Sequence, residues 1–239
     1  MDFTYGSYNL SVAAVKRHRD KVKFALERGI EECHAFGCQE AGQAEWLREW
    51  VAEIGAKMYH GSGKGADATP LIWREDLHVR RKESIRLTQP TLTKVIARVA
   101  GPARVKAKFL NTVRFGFDGR IIHAQNTHGP ASIWWPPRAK LARIQFDEVA
   151  EYNQHRKVLC LVSADYNMEE DNRILNVLDR VNLRSTQAIN PRNTRGRRDI
   201  DDIRRTVAPK RWQFVENGTL ETPGDHRFYF ARFRVIHPR

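Results

Sequence analysis

The sequence predicts one α/β domain spanning residues 1–239. Three observations point there. Segments with helical spacing alternate with short strand-like runs in both halves of the chain. No Pro/Gly/Ser-rich linker separates the halves, and no internal repeat or low-complexity tract interrupts them. Hydrophobic content of 41% and aromatic content of 10% suit a packed core and exclude a disordered chain.

The elements follow in order. "FTYGSYNL" reads as a strand closing near Asn9. From Ala14 to about His34, Val15, Val22, Leu26 and Ile30 recur at helical spacing with charges between them. "HAFGCQEAG" is a short strand and turn. "QAEWLREWVAEIG" is helical through Trp46, Leu47, Trp50, Val51 and Ile54, and Gly55 is its stop. "GSGKGADATP" is a loop by composition; its GK pair does not match the phosphate-binding GxxxxGK[ST] pattern. After Pro70 the texture turns to strands: "LIWRE", "LHVRRKESIRLT", "TKVIARVA", "VKAKFLNTVRF" and "RIIHAQNTH". A helix from about Pro137 to Tyr152 precedes the strand "KVLCLVSAD". "DNRILNVLDR" looks helical, and "DIDDIRRT", "RWQFVE" and "RFYFARFRVI" close the chain as strands.

Charge narrows the partners. The chain carries 41 Lys and Arg against 28 acids, a net +13. Ser84 to Arg114 contains no acid, while Arg86, Lys94, Arg98, Arg104, Lys106, Lys108 and Arg114 are basic. Arg192, Arg195, Arg197, Arg198, Arg204, Arg205, Lys210 and Arg211 form a second cluster. Such a balance attracts polyanions, above all nucleic acid, through salt-sensitive phosphate contacts. A soluble basic surface without a partner is the plainer alternative. No apolar run approaches the ~20 residues that cross a bilayer. The first residues show neither a basic n-region nor a cleavage pattern, and Cys33, Cys38 and Cys160 form no even disulfide framework. A cytoplasmic, reducing setting and a monomer are expected, with no membrane partner.

Polar residues collect at strand boundaries. Asn9 closes the first strand, and Gln39 and Glu40 the next. Asn126, Thr127 and His128 follow "RIIHAQ"; Asp165 and Asn167 follow "VLCLVSA"; Asp225 and His226 open the last strand. Residues just past buried strands are where α/β proteins place ligand chemistry. Period-two geometry predicts that Asp165 and Asn167 reach one ligand. Asp and Asn also favour turns, so each instance alone admits an ordinary turn or cap.

Taken in order, "YNL", "CQEAG", "NTHGP", "SADYN", "RRDIDDI" and "GDH" resemble the motif series of the endonuclease/exonuclease/phosphatase superfamily. That series runs from a strand ending in Asn through "QE", "TH", "GDFN" and "iDyi" to "SDH". Here Ala164 and Tyr166 stand in the "GDFN" turn, and Gly224 replaces Ser before the Asp–His pair. The resemblance implies a four-layer sandwich of two mixed β-sheets flanked by helices, DNase I-like, with a divalent-metal-dependent phosphoesterase site along one edge. Mg²⁺ or Mn²⁺ is the implied cofactor, with Glu40, Asn9 and Asp225 as its ligands. Mg²⁺ keeps most of its waters, so one strong carboxylate suffices. His226 would bind a phosphate oxygen or take the proton of the attacking water, held by Asp201; Asp199 and Asp202 are alternatives for that place. Asp165 competes for the base role. Asn167 would donate to a phosphoryl oxygen, and His128 would act as general acid or second phosphate donor, with Asp67 as its carboxylate partner. A nuclease acting on DNA or RNA is expected, with Trp134 and Trp135 available for stacking on bases. A phosphatase of the same fold with a small substrate, and a non-catalytic nucleic-acid-binding protein, are the alternatives.

Overall fold

The computed structural model describes residues 1–41, 45–63, 65–88, 108–130, 136–169, 172–195, 200–206 and 211–237. Lys64, Lys94, Arg98, Arg104, Lys106, Trp134, Trp135, Arg197, Arg198, Asp199 and Lys210, like the expected strand "TKVIARVA", lie outside them.

The first sheet gathers β1 (Asp2–Asn9), β2 (Ala35–Gln39), β3 (Lys57–Tyr59), β4 (Leu71–Trp73), β11 (Trp212–Leu220) and β12 (Phe228–Val235), in the order β11-β12-β1-β2-β4-β3. The second gathers β5 (His78–Arg86), β6 (Phe109–Phe117), β7 (Arg120–His128), β8 (Leu159–Asp165), β9 (Leu183–Ser185) and β10 (Asp201–Thr206), in the order β5-β6-β7-β8-β10-β9. Helix α1 (Val12–Glu32) carries the chain from β1 to its parallel neighbour β2, and α3 (Pro136–Asn153) does the same from β7 to β8. A parallel pair needs such a crossover. The flanking pairings are antiparallel: β12 on β1, β4 on β2, β6 on β7 and β10 on β8. Helix α2 (Glu45–Glu53) joins α1 outside the first sheet, and α4 (Asn176–Arg180) joins α3 outside the second. The result is a four-layer sandwich of two mixed sheets between helices.

Strand alternation explains the layering. In β1, Phe3 and Tyr5 face the other sheet, where they meet Val113, Phe115, Leu159, Leu161 and Ile203. The intervening Tyr8 and the next apolar residue, Leu10, pack on Val22 and Leu26 of α1. In β8, Leu159 and Leu161 face inward while Cys160, Val162 and Ala164 pack on Phe146 and Val149 of α3. Burial on both faces is why β8 reads as an unbroken apolar run from Leu159 to Val162.

The expected segments that are described form, with differences at short elements. The "DNRILNVLDR" segment divides into a 3₁₀ turn, Arg173–Leu175, and the five-residue α4. Strands β3 and β9 are three residues each, too short for alternation to show in sequence. All three cysteines are buried free thiols. Among the described residues, no helix is long and apolar enough to cross a membrane.

Candidate active site

The inward-facing rows change character towards one edge. Phe3 and Tyr5 are followed on the same face of β1 by Ser7 and Asn9; Ala35 of β2 is followed by Gly37 and Gln39; Leu161 of β8 by Ser163 and Asp165. The register places Asn9 beside Gln39, His128 beside Asp165, and Asp165 beside Asp201. Beneath the edge lies a buried polar layer. Gln39 Nε2 donates to Asn126 Oδ1 across the sheets at 2.6 Å, and Asn126 Nδ2 donates to the Cys38 carbonyl at 2.6 Å and the Pro70 carbonyl at 2.9 Å. Tyr5 Oη donates to the Gln125 carbonyl at 2.8 Å. These cross-sheet hydrogen bonds favour one alignment of the two sheets. Gly37 permits the approach: a Cβ there would lie 2.2 Å from Ser163 Oγ and 2.4 Å from Asn126 Cγ.

Above this layer a continuous run of contacts links distant parts of the chain. Asn9 Nδ2 donates to Asp165 Oδ2 at 2.8 Å and reaches Glu40 Oε1 at 3.4 Å. His128 Nε2 and His226 Nε2 each lie 3.9 Å from Asp165 Oδ2. His226 Nδ1 meets Asp201 Oδ2 at 2.8 Å. Asp201 therefore occupies the partner position. Asp202 points to the opposite face, where its Oδ2 lies 3.7 Å from Arg204 Nε.

Electrostatics separate the groups. Burial raises Asp165 above the ordinary carboxylate range, and the Asp201 charge adds to that. Burial raises Asp201 as well, opposed by its hydrogen bond to His226. Burial resists a charge on His226, but the hydrogen bond and charge of Asp201, then the charge of Asp165, outweigh it and raise the imidazole. Burial holds His128 well below the ordinary imidazole value, and the positive charges of Lys108 and His226 reinforce this. Two carboxylates flanking one histidine, beside a second histidine kept neutral, form a proton-handling group.

Glu40 differs. It is half-buried at the end of β2, with φ of 57°. A non-glycine residue in the left-handed region is strained by ~1 kcal/mol or more, a cost that concentrates at functional positions. Among the described residues its oxygens receive long contacts, from Asn9 Nδ2 and, at 3.3 Å, from the Val12 N–H in the first turn of α1. No cationic side chain among the described residues pairs with it. A hard, under-satisfied carboxylate of this kind fits a hydrated Mg²⁺ or Mn²⁺. The buried group Asp165, Asp201 and His226 also has ligand atoms within 4.8 Å of one another. There His226 Nδ1 is already bonded to Asp201 Oδ2.

Four placements differ from expectation. Asn9 turns its NH₂ to the two carboxylates, while its Oδ1 accepts from the Ser11 N–H at 2.9 Å. Asp225 turns to Arg195, whose Nε donates to its Oδ2 at 2.9 Å. Asn167 does not continue the inward row of β8. It sits in the left-handed region, φ 55°, its N–H bonded to Asp165 Oδ1 at 2.7 Å and its Nδ2 donating to the Gly129 carbonyl at 3.1 Å. The stretch is a turn, and the turn aims Asp165. Asp67 lies on the 3₁₀ turn Ala66–Ala68, and the carboxylate facing His128 is that of Asp165. The sequence reading missed Thr194, whose Oγ1 accepts the Asp201 N–H at 2.9 Å, and Gly129, where a Cβ would lie 2.5 Å from the Tyr166 carbonyl oxygen. The glycine after "NTH" was the available signal for the second.

No protein-family model and no curated protein matches the sequence. Solved structures do match. An endonuclease/exonuclease/phosphatase family protein from Bacteroides thetaiotaomicron is 14% identical, with a TM-score of 0.69 over 100% of this chain and 99% of that one. TDP2 of D. rerio, complexed with single-strand DNA product, is 11% identical, with a TM-score of 0.76 over 98% and 99%. A mannosyl-6-phosphatase from Bacteroides thetaiotaomicron is 16% identical, with a TM-score of 0.73 over 97% and 99%. With its two mixed sheets between helices and near-complete overlap with these structures, the chain has the DNase I-like fold of the endonuclease/exonuclease/phosphatase proteins.

Proposed function

We propose that the protein is a divalent-metal-dependent phosphodiesterase whose substrate is nucleic acid, DNA or RNA. One observation carries the reading: Glu40, Asn9, Asp165, His226 and Asp201, from opposite ends of the chain, form an unbroken run of contacts at one edge of the sandwich. The net charge of +13 supports a polyanionic substrate.

Glu40 would hold Mg²⁺ or Mn²⁺, which when bound supplies charge neutralisation at the phosphate. The remaining roles belong to the chain. Asp165, raised by burial yet oriented by Asn9 and the Asn167 N–H, suits the base that takes a proton from water. His226, whose charged form Asp201 and Asp165 support, suits donation from Nε2 to a non-bridging phosphate oxygen. His128, held neutral, suits a second donor better than a general acid. Asn167 keeps one amide hydrogen bonded to Gly129 and has another to offer. A small phosphorylated substrate is the second reading, because one structure of this fold is a sugar phosphatase.

The test is incubation with plasmid, labelled DNA and RNA oligonucleotides and a soluble inositol phosphate, in EDTA and after Mg²⁺ add-back. Nucleic-acid cleavage that appears only with the metal is expected. Turnover of the small phosphate alone rejects the nuclease reading.

A further inference from the structure

Resting on that reading, we infer that Arg195, braced by Asp225, binds a phosphate next to the scissile one and so selects a polynucleotide over an isolated phosphate ester. The residue sits where the two late components of the site meet. Its backbone forms a β-bridge with His226, and the Arg227 N–H donates to the Thr194 carbonyl at 2.6 Å. On the other side, Thr194 Oγ1 accepts the Asp201 N–H at 2.9 Å. One dipeptide is thus tied to both partners of the Asp201–His226 couple, which fixes its distance from the reacting phosphate. The charge of Arg195 reaches Asp201 accordingly.

Side-chain geometry completes the case. Arg195 Nε donates to Asp225 Oδ2 at 2.9 Å, with the side chains 44% and 52% exposed. An exposed ion pair contributes little to folding, so stability does not account for this construction. A guanidinium held through Nε keeps its two Nη groups in a fixed plane, and among the described residues they carry no hydrogen bond. That edge matches two oxygens of a phosphate. Asp225 immediately precedes His226, so the brace and the proposed scissile-phosphate donor move together. An ester with a single phosphate leaves Arg195 without an acceptor; a polynucleotide always supplies one.

The test is equilibrium binding of a fluorescein-labelled oligonucleotide in EDTA across a NaCl series, with hydrolysis of the same oligonucleotide and of bis(p-nitrophenyl) phosphate in Mg²⁺. For Arg195→Ala, binding weakens about tenfold and the salt slope falls by about one, with thermal unfolding as in the parent. Arg195→Lys recovers part of the loss. KM on the oligonucleotide rises about tenfold, whereas kcat/KM on bis(p-nitrophenyl) phosphate changes less than about twofold. Arg28→Ala, on exposed α1, controls for general charge loss. Binding by Arg195→Ala equal to the parent, or equal losses on both substrates, overturns the inference even if the parent is a nuclease. Conversely, a parent that binds in this Arg195-dependent way but hydrolyses nothing leaves the inference standing and removes the function proposed above. Asp225→Asn weakens oligonucleotide binding about threefold with the Mg²⁺ requirement unchanged; a raised Mg²⁺ requirement with binding intact would return Asp225 to the cation.

Discussion

The two sheets are built alike and finish differently. Each centres on a parallel pair crossed over by a helix, β1 with β2 and β7 with β8, and each pair ends at the same edge. The first pair ends in Asn9 and Glu40, the second in His128 and Asp165. Glu40 is half-buried, strained at φ 57°, and reached among the described residues by hydrogen bonds of 3.3 Å and 3.4 Å. Asp165 is 1% exposed and surrounded by Asn9, two histidines and Asp201. One scaffold thereby offers two carboxylate environments. The wetter one suits a cation that keeps its waters, and the drier one suits proton transfer.

Breaking the dry half has the largest expected effect. Asp165→Asn should lower kcat/KM on an oligonucleotide by about 10³-fold or more, with binding in EDTA near that of the parent. Retained activity removes Asp165 from the chemistry. Breaking the wet half comes next. Glu40→Gln should cost about 10²-fold at fixed Mg²⁺, and raising the Mg²⁺ concentration should recover part of it. A loss indifferent to Mg²⁺ contradicts the cation role.

The pH profile sharpens the contrast. A base must be ionised, and Asp165 is raised above 3.8, so log kcat/KM should climb with unit slope to a limb above the ordinary carboxylate range. A charged donor must be protonated, and His226 is raised above 6.5, so activity should fall again on the alkaline side of that value. Any residual activity of Asp165→Asn should lack the acid limb; an unchanged limb assigns the base elsewhere. The smallest effect concerns the interface joining the halves. Gly37→Ala places a Cβ 2.2 Å from Ser163 Oγ, and chemical denaturation should show a loss of about 1–3 kcal/mol.

Much of the site could be read from the sequence because the inward face of each central strand simply continues into polar residues. Ser7 and Asn9 follow Phe3 and Tyr5, and Ser163 and Asp165 follow Leu159 and Leu161, so alternation places them. What local pattern cannot carry is the turn of a side chain. The direction of the Asn9 amide depends on the Ser11 N–H, and Asn167 leaves the strand geometry because its N–H is captured by Asp165. Arg195 reads as one basic residue among many until tertiary contacts set it against Asp225. The three-residue strands β3 and β9 are defined by their partners β4 and β10, not by periodicity.

The division of labour between the sheets is tested most directly by calorimetric titration of Mn²⁺ into the parent, Glu40→Gln and Asp165→Asn, without substrate. The account predicts that Glu40→Gln loses most of the affinity while Asp165→Asn keeps it. The reverse, affinity lost with Asp165→Asn and kept with Glu40→Gln, would place the cation among Asp165, Asp201 and His226 and contradict the account.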